Sequence, residues 1–205
     1  MGLTAEAIGA GLDVLAAQDE RIAHALARVG YPEPRVRERG FATLLRTIVG
    51  QQVSVAAAAA IWRRLEQRLG TPPSPAALAA LDDDALRACG LSRQKALYAR
   101  SLTEHVMSGQ LDFDALPFED EEAIARLTAV HGIGRWSAEI YLMFAEGRQD
   151  IWPAGDLAVR EGLGRILNLP ARPTEGAVRR LGDAWRPHRS ALALFTWHAY
   201  SNPAL

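Results

Sequence analysis

The residues most able to do chemistry lie in Gly155-Asp156-Leu157, where an aspartate opens an apolar helical run. An aspartate there ordinarily caps the helix by accepting backbone N–H groups. The same position suits an anion, because a helix N-terminus carries partial positive charge. A carboxylate so placed can stabilise positive charge developing on a reacting carbon, or orient and deprotonate water. Both readings can hold at once, and neighbouring elements must decide between them.

Upstream lies His131-Gly132-Ile133-Gly134, a turn between two amphipathic helices. The glycines allow positive φ and close backbone approach, and Ile133 can plug the gap between the helices. The second helix begins with outward backbone N–H groups near Gly134–Trp136, which suits a phosphate. An ordinary helical hairpin with a glycine cap reads the same way. A second stretch shares the layout: Leu86–Ala96, with Gly90-Leu91-Ser92 and Lys95, parallels Leu127–Ala138. Trp136, Trp185 and Trp197 are large aromatics, each of a type usually found in a core, and Trp185 is assigned there.

Leu127–Ala138 resembles the helix-hairpin-helix of the DNA glycosylase superfamily, which pairs such a hairpin with a Gly/Pro-rich loop and a catalytic aspartate. Asp150-Ile151-Trp152-Pro153-Ala154-Gly155-Asp156 supplies that loop. Leu45–Ser54 with Gln51-Gln52, Gly90–Ala96, and Trp185–Ser190 followed by Trp197 are similar to the DNA-3-methyladenine glycosylase II branch. These matches run in order across roughly residues 35–201.

The resemblance implies a monofunctional glycosylase of base excision repair that flips an alkylated base such as 3-methyladenine from damaged double-stranded DNA and hydrolyses its glycosidic bond. Asp156 would be the essential carboxylate, and Trp136 and Trp197 would line the base pocket, where indole faces attract a cationic purine by roughly 0.5–2 kcal/mol each. Gln52 matches the wedge that fills the vacated stack, polar here where the best-known members carry leucine; two helix-start amides are the plainer reading of Gln51-Gln52. Gly132, Gly134, Arg135, Ser137 and Lys95 would contact DNA, although for Lys95 and Ser92 a solvated surface is an equal reading. The backbone carbonyls of Thr128, Val130 and Ile133 correspond to those that hold a monovalent cation, Na+ or K+, and no other cofactor is expected.

Bifunctional members attack the sugar with a lysine just after the hairpin's second glycine. Here Arg135 and Trp136 follow it, and arginine is no nucleophile. Excision by water without strand cleavage is therefore expected. Two other readings remain: a glycosylase for a deaminated or mismatched base, and a helix-hairpin-helix module that binds DNA without chemistry. Asp156 argues against the module, since a pure binder gains nothing from a carboxylate near phosphates. Trp136 favours cationic bases over neutral lesions.

The elements positioning these residues read as helix throughout. Ile8, Leu12, Leu15, Ile22 and Leu26 form an apolar stripe over residues 4–28, broken by Tyr31-Pro32-Glu33-Pro34. The runs 40–50 and 53–69, alanine-rich with few polar positions before Arg63, suggest a deeply buried helix. About ten helices are expected in an all-α, two-lobed fold without the N-terminal β-lobe of some relatives. One lobe would comprise about 1–35 with 155–205 and the other about 36–150, with the hairpin at 127–146.

Composition narrows the classes further. The chain has 205 residues, 49% of them hydrophobic, enough for a core without covalent staples. The one cysteine, Cys89, excludes a disulfide framework, a cysteine-rich zinc site and a four-cysteine iron–sulfur cluster. No signal peptide or membrane span is legible, and the lone cysteine suits a reducing, intracellular setting; with the resemblance, a monomeric, cytoplasmic, nucleoid-associated protein is expected. A net charge of −1 does not announce a DNA partner, so any binding cations must be concentrated locally. Of 23 basic residues only Lys95 is lysine, as a compositional bias toward arginine would give.

Overall fold

The computed structural model describes residues 2–205, which form twelve α-helices and no strands among the described residues. Two compact units are present: one combines the chain up to Arg37 with Leu142–Leu205, and the other is Glu38–Tyr141. The second boundary thus falls at 141/142 rather than near residue 150. The segment leading to Asp156 belongs with the C-terminal helix because it is bonded to it. Ser190 N–H donates to the Gln149 carbonyl at 2.9 Å, and the Ile151 N–H donates to Ser190 Oγ at 2.9 Å.

The terminal unit contains α1 (Ala5–Gln18), α2 (Glu20–Val29), α10 (Leu157–Ile166), α11 (Glu175–Gly182) and α12 (Arg189–Ser201). The apolar stripe expected over 4–28 is split between two helices. Asp19 interrupts it by leaving helical dihedrals and capping α2, its carboxylate accepting from the Arg21 N–H at 2.9 Å. Ile8, Leu12, Leu15 and Ile22 nonetheless stay on one buried face. Each such side chain contributes about 1.5–3 kcal/mol by leaving water.

Helices α10 and α12 cross in backbone contact. A Cβ on Gly162 would lie 1.9 Å from the Thr196 carbonyl oxygen, so only glycine fits. Val159 and Leu163 on α10 and Leu192 and Phe195 on α12 complete the unit's core.

The middle unit contains α3 (Phe41–Gly50), α4 (Val55–Leu69), α5 (Pro75–Ala79), α6 (Asp83–Ala88), α7 (Arg93–Met107), α8 (Asp120–Thr128) and α9 (Arg135–Tyr141). A π-helical turn, Leu142–Glu146, follows α9 directly. Leu44, Leu45, Ile48, Leu65, Leu86, Leu102 and Leu127 are fully buried.

Helix α4 corrects the expectation of deep burial. Val55 is 89% exposed, and burial begins only at Ile61, Trp62 and Leu65. Alanine promotes helix without demanding burial, so an alanine run reports propensity rather than depth. Among the described residues no helix is long and apolar enough to cross a membrane.

Candidate active site and DNA-binding hairpins

Asp156 is the N-cap of α10. Its Oδ1 accepts from the Ala158 N–H at 2.8 Å and the Val159 N–H at 2.9 Å. The indole Nε1–H of Trp197, on α12, donates to the same oxygen at 3.2 Å. The close α10–α12 crossing carries Trp197, one residue past Thr196, toward the start of α10. Three N–H donors on one oxygen fix the carboxylate's orientation.

Trp197 is buried, its ring edge-on to Phe144 at 5.8 Å and its face under the Arg35 guanidinium at 5.3 Å. The indole therefore has a definite place from which to donate. Trp185 is in the core as expected, edge-on to Trp152 at 5.8 Å.

The loop before Asp156 is heavily tied. Arg189 Nε and Nη2 donate to the two Asp150 carboxylate oxygens at 2.6 and 2.9 Å, and Nη2 also reaches the Asp150 carbonyl at 2.7 Å. Arg186 adds a third contact to that carboxylate at 2.6 Å. Trp152 Nε1–H donates to the Val178 carbonyl at 2.9 Å, and its ring occupies the space a Cβ on Gly182 would need. The last turn closes with the Asp156 N–H donating to the Pro153 carbonyl at 2.9 Å. The aspartate thus stands on a rigid support, as a preorganised electrostatic group requires.

In the middle unit the two similar stretches form two similar hairpins. Gly90 (φ 98°) and Gly132 (φ 94°) take the same left-handed turn position. The aliphatic residue after each, Leu91 or Ile133, is buried. Ser92 caps α7, its Oγ accepting from the Lys95 N–H at 3.2 Å.

The second turn is packed from α7. A Cβ on Gly132 would lie 2.2 Å from the Tyr98 ring, and the His131 N–H donates to Ser101 Oγ at 3.0 Å. The Val130 carbonyl accepts from the Ile133 N–H at 3.0 Å, which leaves it one further lone pair.

Several anticipated DNA contacts are placed differently. Lys95 is not on the surface: it is 8% exposed, its Nζ donates to the Val49 carbonyl at 2.7 Å, and burial pushes its ammonium below the usual lysine range. Its four-carbon stem is apolar, so from the first turn of α7 it turns inward to meet the open carbonyls at the end of α3.

Arg135 is held by Glu121 at 2.8 and 2.5 Å and by Glu139 at 2.9 Å. Those carboxylates, Glu121 foremost, raise its pKa and offset its charge. Ser137 is buried in the first turn of α9. Gly134 is exposed, and Trp136 on α9 is 49% exposed.

Gln52 lies in the exposed loop after α3 with φ 53°, a left-handed conformation that a non-glycine residue rarely adopts. Gln51 and Gln52 stand after the end of α3, not at a helix start. The neighbouring amide carries a contact that sequence reading missed: Gln51 Nε2–H donates to the Gly132 carbonyl at 2.9 Å. Tyr98, Ser101 and Asp150 were missed for the same reason. Their partners lie far along the chain, and no local pattern announces the pairing.

Residues 45–187 match the model of the HhH-GPD superfamily of base excision DNA repair proteins. The chain is 34% identical over 165 residues to DNA-3-methyladenine glycosylase 1 of Schizosaccharomyces pombe, covering 78% of this chain and 72% of that one. Among solved structures, the DNA-3-methyladenine glycosidase of Bacillus halodurans superposes with a TM-score of 0.88 at 34% identity, over 94% of this chain and 89% of the other. A 3-methyladenine DNA glycosylase of Schizosaccharomyces pombe, in complex with abasic DNA, gives 0.81 at 31% identity, over 95% and 98%.

Proposed function

The chain belongs to the HhH-GPD superfamily of base excision DNA repair proteins, and from that premise we propose a monofunctional DNA glycosylase that excises alkylated bases such as 3-methyladenine from duplex DNA. The observation that carries the reading is the Asp156 carboxylate, fixed by two backbone N–H groups and the Trp197 indole at the start of α10.

In this reaction the bond from C1′ to the base nitrogen breaks and the nitrogen keeps the electron pair. A base already alkylated and cationic leaves as a neutral molecule, so it needs little help from an acid. The sugar left behind is oxocarbenium-like, and the Asp156 anion stabilises it. Water then adds its oxygen to C1′ and loses a proton to the carboxylate or to solvent, which yields an abasic site.

Before that chemistry the base must leave the stack. The exposed, left-handed Gln52 suits a wedge, since its amide can fill the gap and hydrogen-bond the orphaned partner base. Trp136 offers an accessible indole face on which a cationic base could stack. Trp197, buried and bonded to Asp156, serves the carboxylate rather than offering an open face.

The hairpin at Gly132–Gly134 would grip the backbone without reading sequence. The carbonyl oxygens of Thr128, Val130 and Ile133 are hard donors of the kind that suit Na+ or K+, and Val130 keeps a lone pair for the purpose. Such an ion would supply positive charge beside a phosphate.

Hydrolysis without strand cleavage is supported by the residues available for covalent attack. Arg135 and Trp136 follow the hairpin's second glycine, and the one lysine is committed to the Val49 carbonyl. The deciding experiment is incubation with methylated duplex DNA, with separate assays of released base and of strand breaks. Release of 3-methyladenine, lost in Asp156→Asn, is expected. Strand breaks without alkaline treatment would exclude the monofunctional assignment, and tight duplex binding without release would leave only a binding module.

A further inference from the structure

Helix α3 ends on a residue that faces two ways. The Gln51 backbone N–H turns back to the Ile48 carbonyl at 3.2 Å and closes the helix. Its side chain reaches across to the hairpin, where Nε2–H donates to the Gly132 carbonyl at 2.9 Å. The next residue, Gln52, sits at φ 53°. A strained residue keeps such a conformation only where its surroundings determine it. The surroundings do so from both sides, since Lys95 Nζ binds the Val49 carbonyl just upstream at 2.7 Å.

The far end of this contact is equally fixed. Gly132 lies against the Tyr98 ring, and the adjoining His131 N–H is bonded to Ser101 Oγ at 3.0 Å. The turn therefore acts as a rigid abutment and Gln51 as the strut from it to the loop. The chemistry requires an uncharged donor of this length, because the acceptor is a carbonyl oxygen. A carboxylate there would face that oxygen with no proton to share.

We propose that Gln51 is a positioning residue that locks the Gln52 loop to the hairpin turn at Gly132, so that wedge and hairpin meet the duplex in one register. The inference rests on the glycosylase reading for its consequence, while the contact itself belongs to this chain's own geometry.

The test is a double-mutant cycle on the full chain with Gln51→Met, Gln52→Ala and the pair combined. Gln51→Met keeps bulk and removes the donor. Base flipping is followed by fluorescence of 2-aminopurine placed beside a 3-methyladenine lesion, and single-turnover base release is measured at saturating enzyme, with thermal melting as the control for folding. Gln51→Met should lower both flipping and release about tenfold, and the same change in the Gln52→Ala background should cost less than about twofold, because residues acting as a unit are not additive.

Equal losses in both backgrounds, or wild-type flipping by Gln51→Met, would overturn the proposal. Wild-type protein that flips the base but releases none would overturn the glycosylase reading alone, since the cycle can still be read in fluorescence. Wild-type protein that does neither overturns both.

Discussion

The Trp197 indole N–H and the backbone N–H groups of Ala158 and Val159 converge on one oxygen of Asp156, with Trp197 reaching it at 3.2 Å from the neighbouring helix. A residue that caps its own helix is thereby also oriented by a second one. The carboxylate is thus held by donors from two helices, two backbone N–H groups of α10 and the indole of α12. Preorganisation of this kind avoids reorganisation when charge develops on the sugar.

Trp197→Phe should separate these contributions. The phenyl ring keeps an apolar contact with Phe144 but loses the donor to Asp156. Single-turnover base release should fall about ten- to a hundredfold, the loss expected of one hydrogen bond to a charged group at roughly 1.5–3 kcal/mol, while duplex affinity stays near wild type. An unchanged rate at saturating enzyme would remove the indole N–H from the mechanism.

Asp156→Asn and Asp156→Ala should both abolish release yet differ in stability. Asparagine can still accept the Ala158 and Val159 N–H groups, and alanine cannot. Urea unfolding should place the alanine variant about 0.5–2 kcal/mol below the asparagine variant. Equal stability would mean that the cap contributes nothing to the fold.

Gly162→Ala should be costly, and its effect should reach the site through Trp197. Its Cβ would lie 1.9 Å from the Thr196 carbonyl oxygen, a backbone atom that cannot swing aside. The helices must separate, with a loss of about 1–3 kcal/mol in chemical denaturation and a displaced Trp197. A variant as stable as wild type would show that α10 and α12 can part at Gly162 without cost.

Lys95 should leave a mark on the pH dependence of stability. Burial lowers its pKa from the ordinary value of 10.5. Between that lowered value and 10.5 the unfolded chain binds more protons than the folded one, so stability rises with pH across the window. Below the folded pKa both states are protonated and the cost of burying the ammonium is at its full value. The difference in unfolding free energy between wild type and Lys95→Met, followed from pH 7 to about 10.5, should therefore shift toward wild type. A flat difference would place the ammonium in contact with solvent.

Gly132→Ala should weaken duplex binding more than it slows chemistry at saturation. Alanine at φ 94° is strained, and its Cβ would meet the Tyr98 ring at 2.2 Å. The turn must move, at a cost of about 1–3 kcal/mol. Binding isotherms with an abasic duplex, compared with single-turnover rates, should show the loss in affinity, and a loss confined to the rate would contradict it.

The sequence by itself determined what is written in local pattern. Helical periodicity with breaking Gly and Pro residues fixed an all-α chain, and the paired Gly90-Leu91 and Gly132-Ile133 turns announced two hairpins, because a tight turn needs particular residues at adjacent positions. Gly155-Asp156 was legible as a cap for the same reason, and its order after the hairpin carried the resemblance to a repair glycosylase. The tertiary structure decided everything that depends on residues distant in the chain. It turned Lys95 inward to Val49, bound Arg135 to Glu121 and Glu139, exposed the alanine-rich start of α4, and moved the unit boundary to 141/142. It also joined Gln51 to Gly132 and Trp197 to Asp156. The physical reason is the same in each case: a side chain's type limits which partners it can take, but only packing brings one of them within hydrogen-bond reach.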